Sequence, residues 1–271
     1  MASITQCNNA SHDLETVITT RAEKRVPAWD ISRIIGFEND FYVAGSCLNA
    51  EHPNDIDVYP AEQVSLDSLL TDEIKKAYPV LSVTKNAITF NIKGKIVQIC
   101  SYHKSDLEEL VNSFDFAHCQ VGVKFEGKCY DENYGETGGY PPPTVQEVYV
   151  SEDWKNAKMI QCTYFTGSEY PLSSLIRIIK YAKRDLFNGR SYIIDILNIM
   201  NNILERGYEN YSDFKDQLDA VDLNLLESKD STDHDKVCEA AWKLWCNMSR
   251  RSMVANVDAS TDPDHEKDEE G

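Results

Sequence analysis

The stretch that decides the fold is residues 41–59, which read Phe-Tyr-Val-Ala-Gly-Ser-Cys-Leu-Asn-Ala-Glu-His-Pro-Asn-Asp-Ile-Asp-Val-Tyr. Its first four residues are apolar and predict a short strand that ends at Gly45-Ser46. A polar segment follows, and residues 56–59 predict a second strand. The sequence therefore predicts two neighbouring strands with a glycine turn after the first and acidic residues at the start of the second.

Two carboxylates, Asp55 and Asp57, open the second strand. Because side chains alternate between the two faces of a strand, both should point the same way, whereas Ile56 and Val58 should point into the core. Two carboxylates on one side repel each other unless a cation lies between them. We expect that cation to be Mg²⁺ (or Mn²⁺), which prefers oxygen ligands and shares them with substrate phosphates.

The Gly45-Ser46 turn adds a phosphate-binding element to this pair. Gly45 lets the backbone approach a phosphate closely, and Ser46 can donate its hydroxyl and its backbone N–H. An Asp-x-Asp sequence alone is usually a solvated strand edge. The full arrangement of strand, Gly-Ser turn, polar segment and Asp-x-Asp is much rarer, and it predicts a site for a metal–nucleoside triphosphate.

The rest of the chain predicts an α+β fold, with a mixed β-sheet and flanking helices followed by an all-helical domain. Apolar runs indicate further strands at 80–84, 87–92, 95–101 and 117–125, and helical periodicity dominates after Gly167. We expect a loosely ordered segment over 1–26, the α/β core over 27–167, the helical domain over 168–254 and an acidic disordered tail over 255–271.

Three segments between residues 41 and 187 resemble the DNA polymerase β-like nucleotidyltransferase superfamily, which includes poly(A) polymerases and CCA-adding enzymes. The first is Gly45-Ser46 with Asp55-x-Asp57. The second is Ser113-Phe-Asp-Phe-Ala-His-Cys-Gln-Val-Gly122, and the third is Tyr170-Pro-Leu-Ser-Ser-Leu-Ile-Arg-Ile-Ile-Lys-Tyr-Ala-Lys-Arg184. The segments around Gln98 and Asp115 are also similar to uncharacterised phage and large-virus proteins.

The resemblance implies transfer of a nucleoside monophosphate from a nucleoside triphosphate to an acceptor hydroxyl. It places Asp115 at an acidic position associated with nucleotide recognition. It also implies that the helix containing Arg177 and Lys180, three residues apart on one face, turns toward the nucleotide. Basic residues on a helix face are otherwise commonly solvated. The acceptor implied is an RNA end, a protein or another nucleotide.

One position departs from the superfamily pattern. Active members carry a third carboxylate on a later core strand, which completes a two-metal site. Strand alternation within residues 95–101 puts Gln98 at this position. A neutral amide binds a metal weakly and is a poor base. Three alternatives follow: Asp115 compensates, the protein catalyses slowly, or it is an inactive interaction protein that binds a nucleotide or a protein partner.

Composition limits the partners further. The chain of 271 residues has a formal net charge of -18, which disfavours generic DNA binding and argues mildly against a general RNA-tailing enzyme. No apolar run approaches the length of a membrane span, and the start of the chain is polar. The eight cysteines contain no CxxC pair. We therefore expect a cytoplasmic protein with reduced thiols and no membrane partner.

The acidic tail provides a test of this organisation. Residues 257–271 offer almost no apolar side chain to bury, so a chain that ends at Ala255 should keep its melting temperature within about a degree or two. Differential scanning fluorimetry of the two proteins measures this. A large drop would show that the tail docks on the folded body.

Overall fold

The computed structural model describes residues 4–51, 53, 55–135, 138–219, 238–239, 242–243 and 245–246, with side chains from residue 13 onward except at 218 and 219. The chain divides into two compact units, Met1–Asn202 and Ile203–Gly271. The acidic tail expected over 255–271 lies outside the described residues.

Within the described residues, seven strands form one mixed sheet in the order β3-β4-β5-β2-β1-β6-β7. Strands β2 and β5 are parallel, and the other neighbouring pairs are antiparallel. This confirms the predicted mixed α+β class. The strands are β1 (Phe41–Ala44), β2 (Ile56–Pro60), β3 (Val80–Val83), β4 (Ala87–Ile92), β5 (Lys95–Cys100), β6 (Val121–Glu126) and β7 (Thr144–Val150).

Ten α-helices lie along the described part of the chain. They are α1 (Ile4–Arg25), α2 (Ala28–Ile35), α3 (Ser46–Asn49), α4 (Leu66–Leu69), α5 (Asp72–Ala77), α6 (Leu107–Asn112), α7 (Glu152–Met159), α8 (Pro171–Ala182), α9 (Tyr192–Arg206) and α10 (Tyr211–Asp219), with a 3₁₀ turn at Ala117–Cys119. No helix in the described part of the chain is long and apolar enough to cross a membrane.

The alternation of side chains gives the two faces of the sheet different partners. On one face, alternate residues of the central strands join the main core, including Val43, Ile56, Val58, Val97 and Ile99, together with apolar residues of α1 and α2. The other face carries a smaller cluster in which Ala44 and Tyr59 pack with three residues of α6. Residues between those core positions, such as Asp57 and Gln98, therefore lie on the second face.

The N-terminal segment is the first difference from the sequence-based expectation. A loosely ordered segment was predicted over 1–26, but the structure places helix α1 there. Ile18 and Ala22 are buried in the main core, and Leu14 packs against it. These three residues are spaced four apart and form one narrow apolar stripe on a largely polar helix. Packing of that stripe is what orders the segment.

The domain boundary is the second difference. The first compact unit extends to Asn202, whereas the sequence indicated a boundary at 167/168. Phe116 is fully buried, and its ring packs edge-on against Phe165, Tyr181 and Phe187. Because these contacts join the sheet-bearing region to α8 and the turn after it, α8 belongs to the first unit.

Helix α1 yields a stability test with an adjacent control. Ile18 is 2% exposed and Val17 is 52% exposed. Ile18→Ala should therefore lower the free energy of unfolding by about 2–5 kcal/mol through lost burial and the cavity left behind. Val17→Ala should change it by less than about 0.5 kcal/mol. Urea unfolding measures both, and equal small effects would mean that α1 does not dock on the sheet.

Candidate metal and triphosphate site

The turn after β1 passes beside the carboxylate of Asp57. Gly45 has φ +94, in the region that favours glycine. A Cβ added there would lie 4.0 Å from Asp57 Oδ2. The Gly45 N–H donates to the Val121 carbonyl oxygen at 2.9 Å, so hydrogen bonds to a phosphate would have to come from Ser46, the first residue of α3. Gly45 itself supplies space and backbone shape.

The strand register places three positions of the site side by side. Ala44 on β1 is opposite Asp57 on β2, and Asp57 is paired with Gln98 on the parallel strand β5. The neighbours of Asp57 and Gln98 along their strands, among them Val58 and Val97, are buried in the core on the other face. Gln98 therefore lies next to Asp57 on the same face, as strand alternation predicted.

The oxygen donors near Asp57 are of the type that binds magnesium. Asp57 has a carboxylate and Gln98 an amide on this face, and Asp55 lies close enough for its charge to raise the pKa of Asp57. Carboxylate and amide oxygens are hard ligands suited to Mg²⁺ or Mn²⁺. Among the described residues, no group of three or more His, Cys, Asp and Glu side chains is arranged to hold a metal ion. The site thus offers two carboxylates and a neutral amide where the superfamily pattern has three carboxylates.

The surroundings of Asp57 disfavour its ionised form. Burial, followed by the negative charge of Asp55, raises the pKa of the Asp57 carboxyl to about 7. The positive charges of Arg177 and Lys180 act in the opposite direction and lower this pKa. Helix α8 therefore brings both predicted basic residues close enough to influence Asp57. A divalent cation would act in the same sense more strongly.

Asp115 anchors α8 through both of its carboxylate oxygens. Its Oδ1 accepts from an Arg177 guanidinium N–H at 2.8 Å, and its Oδ2 accepts from the Ser174 hydroxyl at 2.7 Å. The Asp115 side chain is 4% exposed and that of Arg177 is 39% exposed. The negative charge of Asp115 raises the pKa of Arg177 above its already high value. Arg177 is thus bound to Asp115 while part of its side chain remains exposed to solvent.

His118 and Cys119, a buried pair shortly after Asp115 in the sequence, are both uncharged and unreactive. His118 Nδ1 lies 2.8 Å from the Thr163 hydroxyl, and Cys119 Sγ lies 3.3 Å from His118 Nε2. Burial, together with nearby positive charges, lowers the pKa of His118 to about 3. Burial raises the pKa of the Cys119 thiol to about 12. A neutral imidazole beside an un-ionised thiol is not an activated nucleophile.

Sequence reasoning missed three residues that support this site. Ser174 fixes Asp115, and Arg21 and Arg25 of α1 bind carbonyl oxygens in the loop between Gly45 and Asp55. The apolar spacing of α1 was a usable signal for the two arginines, because it fixes which side of the helix faces the sheet. Nothing in the local sequence identified Ser174.

The sequence model of the Gabija anti-defense 2 family matches residues 17–153, more than half of the chain. The chain belongs to this family. The match covers the second half of α1, the sheet through β7, and the Gly45, Asp55, Asp57, Gln98 and Asp115 positions. It ends before α8, so Ser174, Arg177 and Lys180 lie outside the family match. A comparison with curated proteins finds no sequence relative.

Solved structures similar to this family member include two CCA-adding enzymes and a tRNA nucleotidyltransferase. A CCA-adding enzyme with ATP is 12% identical, with a TM-score of 0.43 over 79% of this chain and 50% of that one. The Thermotoga maritima CCA-adding enzyme with tRNA is 14% identical, with a TM-score of 0.41 over 75% and 49%. A tRNA nucleotidyltransferase with primer tRNA and an ATP analogue is 11% identical, with a TM-score of 0.39 over 69% and 54%. The chain spans about half the length of these structures.

The raised pKa of Asp57 predicts a pH dependence of metal binding. Below its pKa the carboxyl is protonated, and a bound cation must displace that proton. Affinity for Mn²⁺, followed by electron paramagnetic resonance, should therefore rise about tenfold per pH unit from pH 5 to about 7 and then level off. Asp57→Asn should flatten this profile and weaken binding. A flat profile in the unaltered protein would contradict the assignment of Asp57 as a ligand.

Proposed function

We propose that this family member is a Mg²⁺-dependent nucleotidyltransferase that transfers a nucleoside monophosphate from a nucleoside triphosphate to an acceptor hydroxyl and releases pyrophosphate. The observation that carries the proposal is the placement of Asp57 beside both the Gly45 turn and Gln98, with Arg177 and Lys180 acting on its charge. Carboxylates, a close-approach glycine and two cations are the groups that hold a metal–triphosphate.

The residues would divide the work as follows. Asp55 and Asp57 would hold the ion, and Ser46 would donate to the β- and γ-phosphates in the space left by Gly45. When bound, Mg²⁺ would neutralise phosphate charge and favour loss of the proton from the attacking hydroxyl. Arg177 and Lys180 would stabilise the negative charge that develops on the phosphates during transfer.

Asp115 is best placed to orient Arg177. One guanidinium N–H is bound to Asp115, and an Arg side chain has five donors, so Arg177 keeps donors for phosphate oxygens. Both oxygens of Asp115 already accept hydrogen bonds and its side chain is 4% exposed, which leaves it little access to a metal ion or an attacking hydroxyl. A direct catalytic role for Asp115 therefore stays a prediction, and the proposed mechanism relies on two carboxylates.

The acceptor is proposed by class. The net charge of -18 disfavours a general RNA substrate, which leaves a protein side chain, a nucleotide or a specific RNA end. The family is named for an anti-defense role. We propose that such a role is exerted through the transferred nucleotide, on a macromolecule or a nucleotide of the opposing system.

Two observations favour a second function. Gln98 supplies no charge beside Asp57, and Asp57 itself has a pKa near neutrality. Both features weaken a catalytic metal site while leaving the folded surface intact. The alternative is a non-catalytic protein of this fold that binds a nucleotide or sequesters a protein partner.

A transfer assay separates the two functions. With each of the four α-labelled nucleoside triphosphates, Mg²⁺ and RNA or protein acceptors, the unaltered protein should give a labelled product and Asp57→Asn should give none. Gln98→Asp restores an acid next to Asp57, so a slow enzyme should become about 10²–10⁴-fold faster. Asp67→Asn makes the same change at an exposed carboxylate of α4 and should leave transfer unchanged.

Two results would decide against this assignment of roles. If transfer is already fast and Gln98→Asp changes little, while Asp115→Asn abolishes it, then Asp115 is the third acid. The enzyme proposal fails if neither the unaltered protein nor Gln98→Asp transfers any of the four nucleotides to RNA or protein, or hydrolyses any of them to the monophosphate. The sequestering function then takes its place.

A further inference from the structure

Two arginines near the end of α1 bind the loop between the Gly45 turn and Asp55. An Arg21 guanidinium N–H donates to Leu48 O at 2.7 Å and to Asn49 O at 3.3 Å. Arg25 donates to Cys47 O at 2.8 Å, to Ala50 O at 2.5 Å and to Glu51 O at 2.9 Å. The carbonyl oxygens of five consecutive residues are thus bound by two side chains from a different part of the chain.

This loop has little internal support of its own. Helix α3 has only four residues, and its closing hydrogen bond runs from Ala50 N–H to Ser46 O. The carbonyl groups at the end of a helix have no partners within it and must bond elsewhere. Here the partners include Arg21 and Arg25. Residues 47–51 are therefore held from two sides, by these arginines of α1 and by the burial of Cys47 and Leu48 in the main core.

Arg21 and Arg25 carry like charges one helical turn apart, and such charges repel each other. Burial, and then the charge of Arg21, lowers the pKa of Arg25. The five bonds to the loop offset this repulsion. Both side chains are only partly buried, so core packing does not explain two guanidinium groups at these positions.

The same end of α1 is tied to the strand that carries Gln98. Lys95, the first residue of β5, donates from Nζ to the carbonyl oxygen of Arg25. Gln98 follows on β5 and is paired with Asp57. The end of α1 thus contacts both the loop that leads into Asp55 and the strand adjacent to Asp57.

We propose that Arg21 and Arg25 are positioning residues that hold residues 47–51 so that Ser46 and the Asp55/Asp57 pair face one metal–triphosphate. This inference rests on the proposed function. Neither arginine touches the ligand. Supporting groups of this kind typically change metal affinity by about 10- to 100-fold when they are removed, because small displacements of the ligand atoms are costly.

Mn²⁺ with inorganic tripolyphosphate is a suitable probe, because it needs no choice of base or acceptor. Binding by isothermal titration calorimetry should weaken about 10- to 100-fold in Arg25→Gln. Lys24→Gln removes the same charge from the neighbouring exposed position and should bind as the unaltered protein does. Arg25→Lys keeps the charge but loses the fork that reaches three carbonyl groups, so it should not restore binding.

A second readout does not depend on a ligand. Amide hydrogen exchange of residues 47–51 should be faster in Arg25→Gln than in Lys24→Gln, while exchange in β1, β2 and β5 should be unchanged. Arg21→Gln removes two of the five bonds and is the milder variant if Arg25→Gln unfolds. It should give a smaller change in the same direction by both measurements.

The possible failures are distinguishable. If the unaltered protein does not bind Mn²⁺–tripolyphosphate, the proposed function fails and takes this inference with it. If the unaltered protein binds the probe and the arginine variants bind equally well, only the positioning role is wrong. Full binding by Arg25→Lys would overturn the hydrogen-bonding argument and assign the effect to charge alone.

Discussion

Strand β2 is the constraint on which the rest of the structure depends. It lies between antiparallel β1 and parallel β5. Its alternate side chains face an apolar core on one side of the sheet and the polar candidate site on the other. Ile56 and Val58 are buried in the main core, so Asp57 must face the other side. A slip of one residue would turn Asp57 into the apolar core and move Ile56 and Val58 out of it. The requirement to bury Ile56 and Val58 therefore fixes the face on which Asp57 lies. Gln98 is adjacent to Asp57 because β5 pairs with β2, and Gly45 is near it because it follows β1, the other neighbour of β2.

The other side of the candidate site is formed by residues far from β2 in the sequence. Asp115 and Arg177 form an ion pair of which the acidic side is almost completely buried. Removing one partner would leave an unpaired charge, a change that typically costs about 3–5 kcal/mol in buried pairs. The pair holds α8 against the sheet-bearing region and leaves part of Arg177 exposed near Asp57. The same contacts therefore support the fold and the candidate site. The burial of Asp57 costs stability, and such unfavourable burial of a charged group is expected at a site that binds a ligand.

The sequence predicted what depends on local pattern. Alternation and glycine placement were enough for β1, β2, the Gly45 turn and the position of Gln98. The sequence did not predict α1, because its apolar residues are few and the stripe of Leu14, Ile18 and Ala22 stabilises a helix only by packing on a sheet built from later residues. The boundary at 167/168 was placed too early because the contacts of Phe116 with Tyr181 and Phe187 are long-range. For the same reason, no local signal showed that Ser174 and Arg177 would occupy both oxygens of Asp115.

The central claim is that Asp55 and Asp57 share one divalent cation beside the Gly45-Ser46 turn. A crystal structure of the protein with Mn²⁺ and a non-hydrolysable nucleoside triphosphate tests it most directly, because anomalous scattering locates the metal independently of the coordinates. The account predicts a metal peak bound by both carboxylates, with the triphosphate against Ser46 and its oxygens facing Arg177. A structure obtained at saturating ligand that shows no metal between Asp55 and Asp57, or the triphosphate bound elsewhere, would contradict it.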